Sequence, residues 1–328
     1  MRESLQDQVN TPAFAASFRS LVENIERIIV GKTEVIELAA VCLFAQGHLL
    51  IEDVPGVGKT ALARCLAHSI HSDWKRIQFT PDLLPSDITG VTWYNQRTGD
   101  FTFRPGPIFA SIVLCDEVNR ASPKTQSALL EVMEEHQVTE DGQPRPVPRP
   151  FMVVATQNPL DMDGTFPLPE AQLDRFLLRL GVGYPDEPAE ISILRHGLDG
   201  RFDEELSPVL SAADVVRMAR AARAVHVSEA VQRYVVQIIA GTRRAAELRL
   251  GVSPRGSLAL MRAAQVWAAA QGRSFVTADD VHHMTVPVLS HRVRLAPDVE
   301  LQGGTSTDAV IRRVLSSVDA PRDWARGR

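Results

Sequence analysis

Two short stretches carry the residue types that phosphate chemistry needs. The first is Pro55-Gly56-Val57-Gly58-Lys59-Thr60-Ala61 and the second is Asp116-Glu117, behind the apolar run Ile112-Val113-Leu114-Cys115. In the first, the glycines allow a turn that a side chain would obstruct. Backbone N–H groups of that turn, and of a helix opening at Lys59, can then face an anion, where the helix dipole favours negative charge. Lys59 would reach two phosphates as a point charge, and the Thr60 hydroxyl would bind magnesium. In the second, Asp116 would hold the same magnesium through water, and Glu117 would polarise an attacking water as general base. Neither stretch is decisive alone. Gly-x-Gly-Lys-Thr also fits an ordinary turn, and an apolar run ending in Asp-Glu is common. The general loop pattern also begins with a glycine where this chain has Asp53. An aspartate tolerates the left-handed backbone that such a glycine would favour, so the departure touches the turn and not the chemical groups.

Context gives the two stretches their meaning. Leu49-Leu50-Ile51 reads as a buried strand before the glycine turn, and Ala61 to Ala67 as a helix with little bulk on its inner face. Strand, glycine turn and helix together make a phosphate-binding loop. Ser111 to Cys115 reads as a central strand one α/β unit later, so its carboxylates fall at the edge where open α/β sheets bind ligands. Phe151 to Gln157 is a further central strand, and Asn158 after it stands where an amide could orient the attacking water. Ile29-Val30-Gly31 joins two expected helices, 13–28 and 34–46, and fits either an adenine contact or an ordinary helix–helix turn.

The remaining elements are outlined by turns and caps. Arg76 to Thr80 reads as a second strand. Arg97-Thr98-Gly99-Asp100 and Asp141-Gly142 mark two β-hairpins, and Leu177 to Leu180 a last strand. Arg145 and Arg149 on the second hairpin lack interleaved aromatics, which favours a solvated hairpin over a nucleic-acid contact. Ser122-Pro123 predicts a helix start. Gly183-Tyr184-Pro185-Asp186-Glu187-Pro188 predicts a domain boundary, giving 1–185 and 186–328, with residues 1–12 as a loose arm. Beyond the boundary the periodicity is helical. Ser211 with Asp214, and Thr277 with Asp280, resemble capping boxes, and Ser228 and Ser253-Pro254 offer further starts.

Composition narrows the class. Of 328 residues, 45% are hydrophobic, enough for a sizeable core, and the net charge of −5 counts against bulk electrostatic binding of nucleic acid. Cys42, Cys65 and Cys115 lie in apolar runs without metal-ligand spacing, which predicts a reduced, cytoplasmic protein. No signal-peptide core and no membrane-length apolar run is present in the sequence.

With both acidic strand ends in place, the chain resembles the AAA+ ATPases, and within them the MoxR family, over roughly residues 15–320. The resemblance rests on Val54 to Thr60, Asp116 to Gln126, Ala155 to Pro159, Pro169 to Phe176 and Ser253-Pro254-Arg255. It implies an α/β P-loop NTPase core, a parallel sheet with flanking helices and β-hairpin insertions, followed by an all-α lid. It implies ATP and Mg2+ as ligands, Asn158 as first sensor, Arg175 as an arginine finger reaching a neighbouring subunit's γ-phosphate, and Arg255 as second sensor. It further implies a homo-oligomeric, hexameric ring acting as a chaperone-like remodeller of protein complexes, with a partner that carries a von Willebrand factor A domain. Two other classes of machine stay open, a nucleic-acid motor or helicase accessory and a chelatase-like metal-insertion subunit, beside an inactive ATP-binding scaffold.

Overall fold

The computed structural model describes residues 11–54, 56–97, 99–158, 165–198 and 206–321. Its elements begin with α1 (Thr11–Glu26), α2 (Thr33–Phe44), β1 (Leu49–Glu52), α3 (Lys59–Ser69) and β2 (Trp74–Gln78). They continue with α4 (Pro85–Thr89), β3 (Gly90–Asn95), β4 (Asp100–Pro105), β5 (Ile112–Asp116) and α5 (Pro123–Glu135). Next come β6 (Gln137–Glu140), β7 (Gln143–Pro146), β8 (Met152–Gln157), α6 (Glu170–Leu173) and β9 (Leu178–Leu180). The rest are α7 (Glu187–Leu198), α8 (Ala212–Arg223), α9 (Glu229–Arg244), β10 (Leu248–Leu250), α10 (Pro254–Ala270), α11 (Ala278–Leu289), β11 (Arg294–Leu295), α12 (Pro297–Gln302) and α13 (Thr307–Ser316). The described residues fall into two compact units, one built from Ser20–Arg175 with Leu180–Val216, the other from 11–19, Phe176–Arg179 and 217–321.

In the first of these units the sheet runs in the order β2–β5–β8–β1, parallel at the β2/β5, β5/β8 and β1/β8 pairs. Burial explains the order. All five residues of β5 are buried, as are the first five of β8, so both faces of these strands are covered, as in the middle of a parallel sheet. Trp74–Gln78 buries only Ile77 and lies at an edge. The register sets Gln78 beside Asp116, Cys115 beside Ala155, and Glu52 beside Gln157, so the carboxyl ends of four strands are level. Helix α3 packs against β5 through a side that carries Ala63, Leu66 and Ala67, all buried. Ser122 caps α5 as expected, its side chain accepting from the Thr125 N–H at 3.4 Å, with Pro123 at the first helical position. The two hairpins also form, as β3–β4 and β6–β7, the second turning through Asp141 and Gly142 at positive φ. Of the expected loose arm, 1–12, residues 1–10 lie outside the described residues, while Thr11 and Pro12 are already helical, and Thr11 is buried.

The other unit is helical around α9, α10, α11 and α13, with Ile238, Leu260, Ala263, Met284, Leu289 and Ile311 in its core. Thr277 and Asp280 form the reciprocal capping box, and Arg273 donates to Asp280 Oδ2 at 2.6 Å. Here the structure adds to the helical expectation a short antiparallel ribbon, β10 with β11, which pairs Leu248 with Leu295. The Phe176 carbonyl accepts from Arg292 Nη2 at 2.6 Å and from His291 Nε2 at 3.0 Å.

Candidate phosphate-binding site

The level strand ends and the start of α3 enclose a cavity of about 210 Å³. It is lined by Gly56, Gly58, Lys59, Thr60, Arg76, Gln78, Asp116, Glu117, Thr156 and Asn158. Of the residues singled out in the sequence, Gly56, Gly58, Lys59, Thr60, Asp116, Glu117 and Asn158 therefore come together. Gly56 and Gly58 have φ of +87° and +92°, which side-chain-bearing residues rarely adopt, and a Cβ on either would meet nothing within 4 Å. The glycines thus leave open the space in front of the helix N-terminus. Helix α3 has neither a capping side-chain hydrogen bond nor an acidic residue in its first turn, so no group of its own first turn offsets its N-terminal dipole.

Charges of both signs face this space. Lys59 Nζ donates to the Asp53 carbonyl at 2.7 Å. Partial burial lowers the ammonium's pKa from its ordinary value, and Asp53, Asp116 and Glu117 oppose that shift. The Asp116 carboxylate is buried, takes Arg76 Nη2 at 2.7 Å on Oδ2 and accepts from Thr156 Oγ1 at 3.0 Å on Oδ1. Glu117 Oε2 accepts from Gln78 Nε2 and from Arg120 Nη1, each at 3.0 Å. Its backbone is left-handed at φ 56°, a conformation that costs a non-glycine residue about 1–2 kcal/mol. The Glu117 N–H donates to Thr156 Oγ1 at 2.9 Å and its carbonyl accepts from the Arg120 N–H, also at 2.9 Å, which hold that geometry.

Three wall residues, Arg76, Gln78 and Thr156, were not among the sequence candidates. Arg76 and Gln78 are two apart on β2 and so share a face, and Arg76 Nη2 bonds Gln78 Oε1 at 3.1 Å. That Arg-x-Gln alternation was the available signal, but it means nothing until β2 is known to lie beside β5. Conversely, Val57, Ala61, Val30 and Gly31 are not in the wall. Gly31 has φ +74°, which side-chain-bearing residues rarely adopt, while a Cβ there would make only ordinary contact with Asp186 Oδ1 at 3.4 Å and Ala189 Cβ at 3.5 Å, so the backbone turn, not the space, calls for glycine. Arg175 sits on Glu134, with Nε and Nη2 both 2.8 Å from Oε2. Arg255 lies in the first turn of α10 in the helical unit. Pro55 lies outside the described residues.

The donor set fits a magnesium–nucleotide phosphate. Thr60 and Asp116 offer two oxygen ligands, and magnesium is commonly held by one or two protein oxygens together with substrate phosphates and water. Among the described residues no group of three or more His, Cys, Asp or Glu could hold a metal by itself. Two cations, Lys59 and Arg76, and an open helix N-terminus supply the matching sites for phosphate oxygens.

Comparison with known proteins agrees with this geometry. Residues 48–178 match the family described as ATPase family associated with various cellular activities (AAA), and residues 240–314 match the AAA lid domain. The chain is 49% identical to YeaC of Bacillus subtilis, a protein described as uncharacterized, over 92% of this chain and 93% of that one. It is 41% identical to Chaperone MoxR1 of Mycobacterium tuberculosis, over 91% of this chain and 81% of that one. Among solved structures it resembles a provisionally assigned ATPase from Cytophaga hutchinsonii, with TM-score 0.89 and 34% identity over 95% of this chain and 97% of that one.

Proposed function

The chain belongs to the MoxR family of AAA+ ATPases, and from that premise we propose that it hydrolyses ATP between the subunits of a ring and uses the resulting motion to remodel or mature protein complexes. The observation that carries the reading is the convergence of Gly56, Gly58, Lys59 and Thr60 with Asp116, Glu117 and Asn158 on one cavity. Lys59 and the N–H groups at the start of α3 hold the β- and γ-phosphates. Thr60 and Asp116 would hold magnesium, which supplies a Lewis acid at the phosphate oxygens. Glu117 takes the proton from the attacking water, and Asn158 orients that water.

Arg175 is the finger, placed by one copy at the γ-phosphate bound to the next, and Arg255 is the second sensor, carried by the lid. A ring, hexameric in the family, follows from that division of labour. The remodelling role draws support from the name of the mycobacterial relative, a chaperone. We place the work in the cytoplasm with a partner bearing a von Willebrand factor A domain. Consistent with a reducing compartment, Cys42, Cys65 and Cys115 are buried and unbridged, and burial pushes the Cys65 thiol up to about 11. No helix among the described residues is long and apolar enough to cross a membrane.

The test is ATP hydrolysis measured against protein concentration, with sedimentation alongside and Glu117→Gln as control. Specific activity that rises with assembly, and is lost in the variant, supports shared sites. Activity independent of concentration would give each monomer a complete site and remove the finger from Arg175. Stimulation by DNA or RNA would move the reading towards a nucleic-acid motor.

A further inference from the structure

Asp53 stands where the general phosphate loop has glycine, and its side chain is engaged twice. Oδ1 accepts from the Val54 N–H at 2.7 Å and Oδ2 from the Gly183 N–H at 2.5 Å. The first bond lies within the loop. The second reaches 130 residues along the chain, to the segment between β9 and α7. That segment is held on its other side as well, for Lys32 Nζ donates to the Tyr184 carbonyl at 2.7 Å. Asp186, at its end, caps α7, accepting from the Ala189 N–H at 3.0 Å, and packs against Gly31. A glycine at position 53 would leave the backbone path intact and remove both carboxylate bonds.

The same residue touches the phosphate machinery through its main chain. Lys59 Nζ donates to the Asp53 carbonyl at 2.7 Å. An ammonium carries three donors, so one can stay on Asp53 while the others meet phosphate oxygens. A continuous path then runs from phosphate through Lys59 and Asp53 to the Gly183 N–H.

We propose that Asp53 is a positioning residue that clasps the phosphate loop to residues 181–186 and passes phosphate occupancy to that segment. The proposal rests on the nucleotide-binding reading given above. Phosphates bound to Lys59 and the glycine turn fix the loop, and with it the carboxylate that holds Gly183. The segment leads along the chain into α7. The departure from glycine is therefore a functional addition at the loop, one that couples the site to the segment ahead of α7.

Hydrogen exchange of the 181–186 segment, in full-length protein with and without magnesium and β,γ-imido-ATP, tests it. Each variant is examined at nucleotide concentrations that saturate it. In the native sequence, nucleotide should slow exchange at Gly183 by about tenfold or more, the scale of one charge-assisted hydrogen bond held more firmly. Asp53→Gly should exchange faster at Gly183 without nucleotide, and nucleotide should leave its 181–186 segment unchanged while slowing exchange across residues 56–60. Asp53→Asn, which keeps the shape and one of the two acceptor oxygens without the charge, should respond in between. A merely structural role for Asp53 would speed basal exchange but preserve the response to nucleotide. An equal response in Asp53→Gly, no response at 181–186 in the native protein, or loss of nucleotide binding in both variants would each overturn the clasp. Failure of the native protein to bind the nucleotide would overturn the proposed function, and the clasp with it.

Discussion

At the scale of single residues, the cavity sets unequal demands on Lys59 and Glu117. Lys59 is already partly desolvated, and its lowered pKa means that the folded chain holds the charged form at some cost. A bound phosphate offsets that cost directly. Removing the ammonium should therefore weaken binding rather than slow chemistry alone. Lys59→Ala is expected to lower ATP affinity by about tenfold to a hundredfold, the size of one or two charge-assisted hydrogen bonds. Calorimetric titration reads it, and unchanged affinity would remove the loop from phosphate binding. Glu117 differs because a carboxylate repels a phosphate and so adds nothing to its binding. Its carboxylate is held by Gln78 and Arg120 on a left-handed backbone, strain of the kind that collects at functional sites. Glu117→Gln should leave nucleotide affinity within a few-fold and lower turnover by about a hundredfold or more, as loss of a general base does. Normal turnover in a stopped assay would exclude Glu117 as the base.

At the scale of elements, the parts legible in the sequence are those whose causes are local. The glycine turn, the Ser122 and Thr277 caps, and the Asp141-Gly142 hairpin each announce themselves within a few residues. Arg76, Gln78 and Thr156 did not, because their partners become neighbours only when β2, β5 and β8 pair. The β10–β11 ribbon was missed for the same reason, since its strands lie on either side of α10 and α11. His48 shows how much such long-range pairing can matter. It precedes β1, its Nε2 lies 3.1 Å from the Met133 carbonyl near the end of α5, and its Nδ1 accepts from the Val153 N–H of β8 at 3.0 Å. That fixes the neutral ring with the proton on Nε2 and ties three elements together. Burial, with help from nearby His136, lowers its pKa from 6.5 to about 4. A histidine held neutral in the fold but free to ionise when unfolded stabilises the protein above the unfolded pKa. That stabilisation fades as pH falls from 6.5 towards 4. The gap corresponds to about 3 kcal/mol. Denaturant unfolding across that range should show a stability decline of this order. His48→Gln, less stable at neutral pH, should show a shallower one, and an unchanged slope would place the acid sensitivity elsewhere.

At the scale of the whole molecule, the question is whether one chain suffices for turnover. Arg175 is absent from the cavity wall and rests on Glu134, a pair in which both side chains are partly exposed, at 28% and 38%. Pairs exposed to that degree contribute about 0–1 kcal/mol, because water and salt compete for both partners. The guanidinium can therefore leave Glu134 for a phosphate at little cost. The gain at the transition state is far larger, about 10³ to 10⁵ in rate for arginine fingers. A weakly held arginine outside its own chain's cavity is what a finger offered to a neighbour requires. Arg175→Ala is accordingly expected to bind ATP, to assemble, and to lose turnover. Lys59→Ala should be inactive for the opposite reason, since it keeps the finger and loses the phosphate site. Mixed, the two variants create interfaces at which an intact Lys59 from one chain meets an intact Arg175 from the next. ATP hydrolysis by the mixture should recover to a fraction set by the proportion of such interfaces, greatest near equal amounts. If sedimentation with one labelled variant showed mixed assemblies and activity stayed at the level of the separate variants, Arg175 would not act across subunits, and the ring would lose its chemical reason.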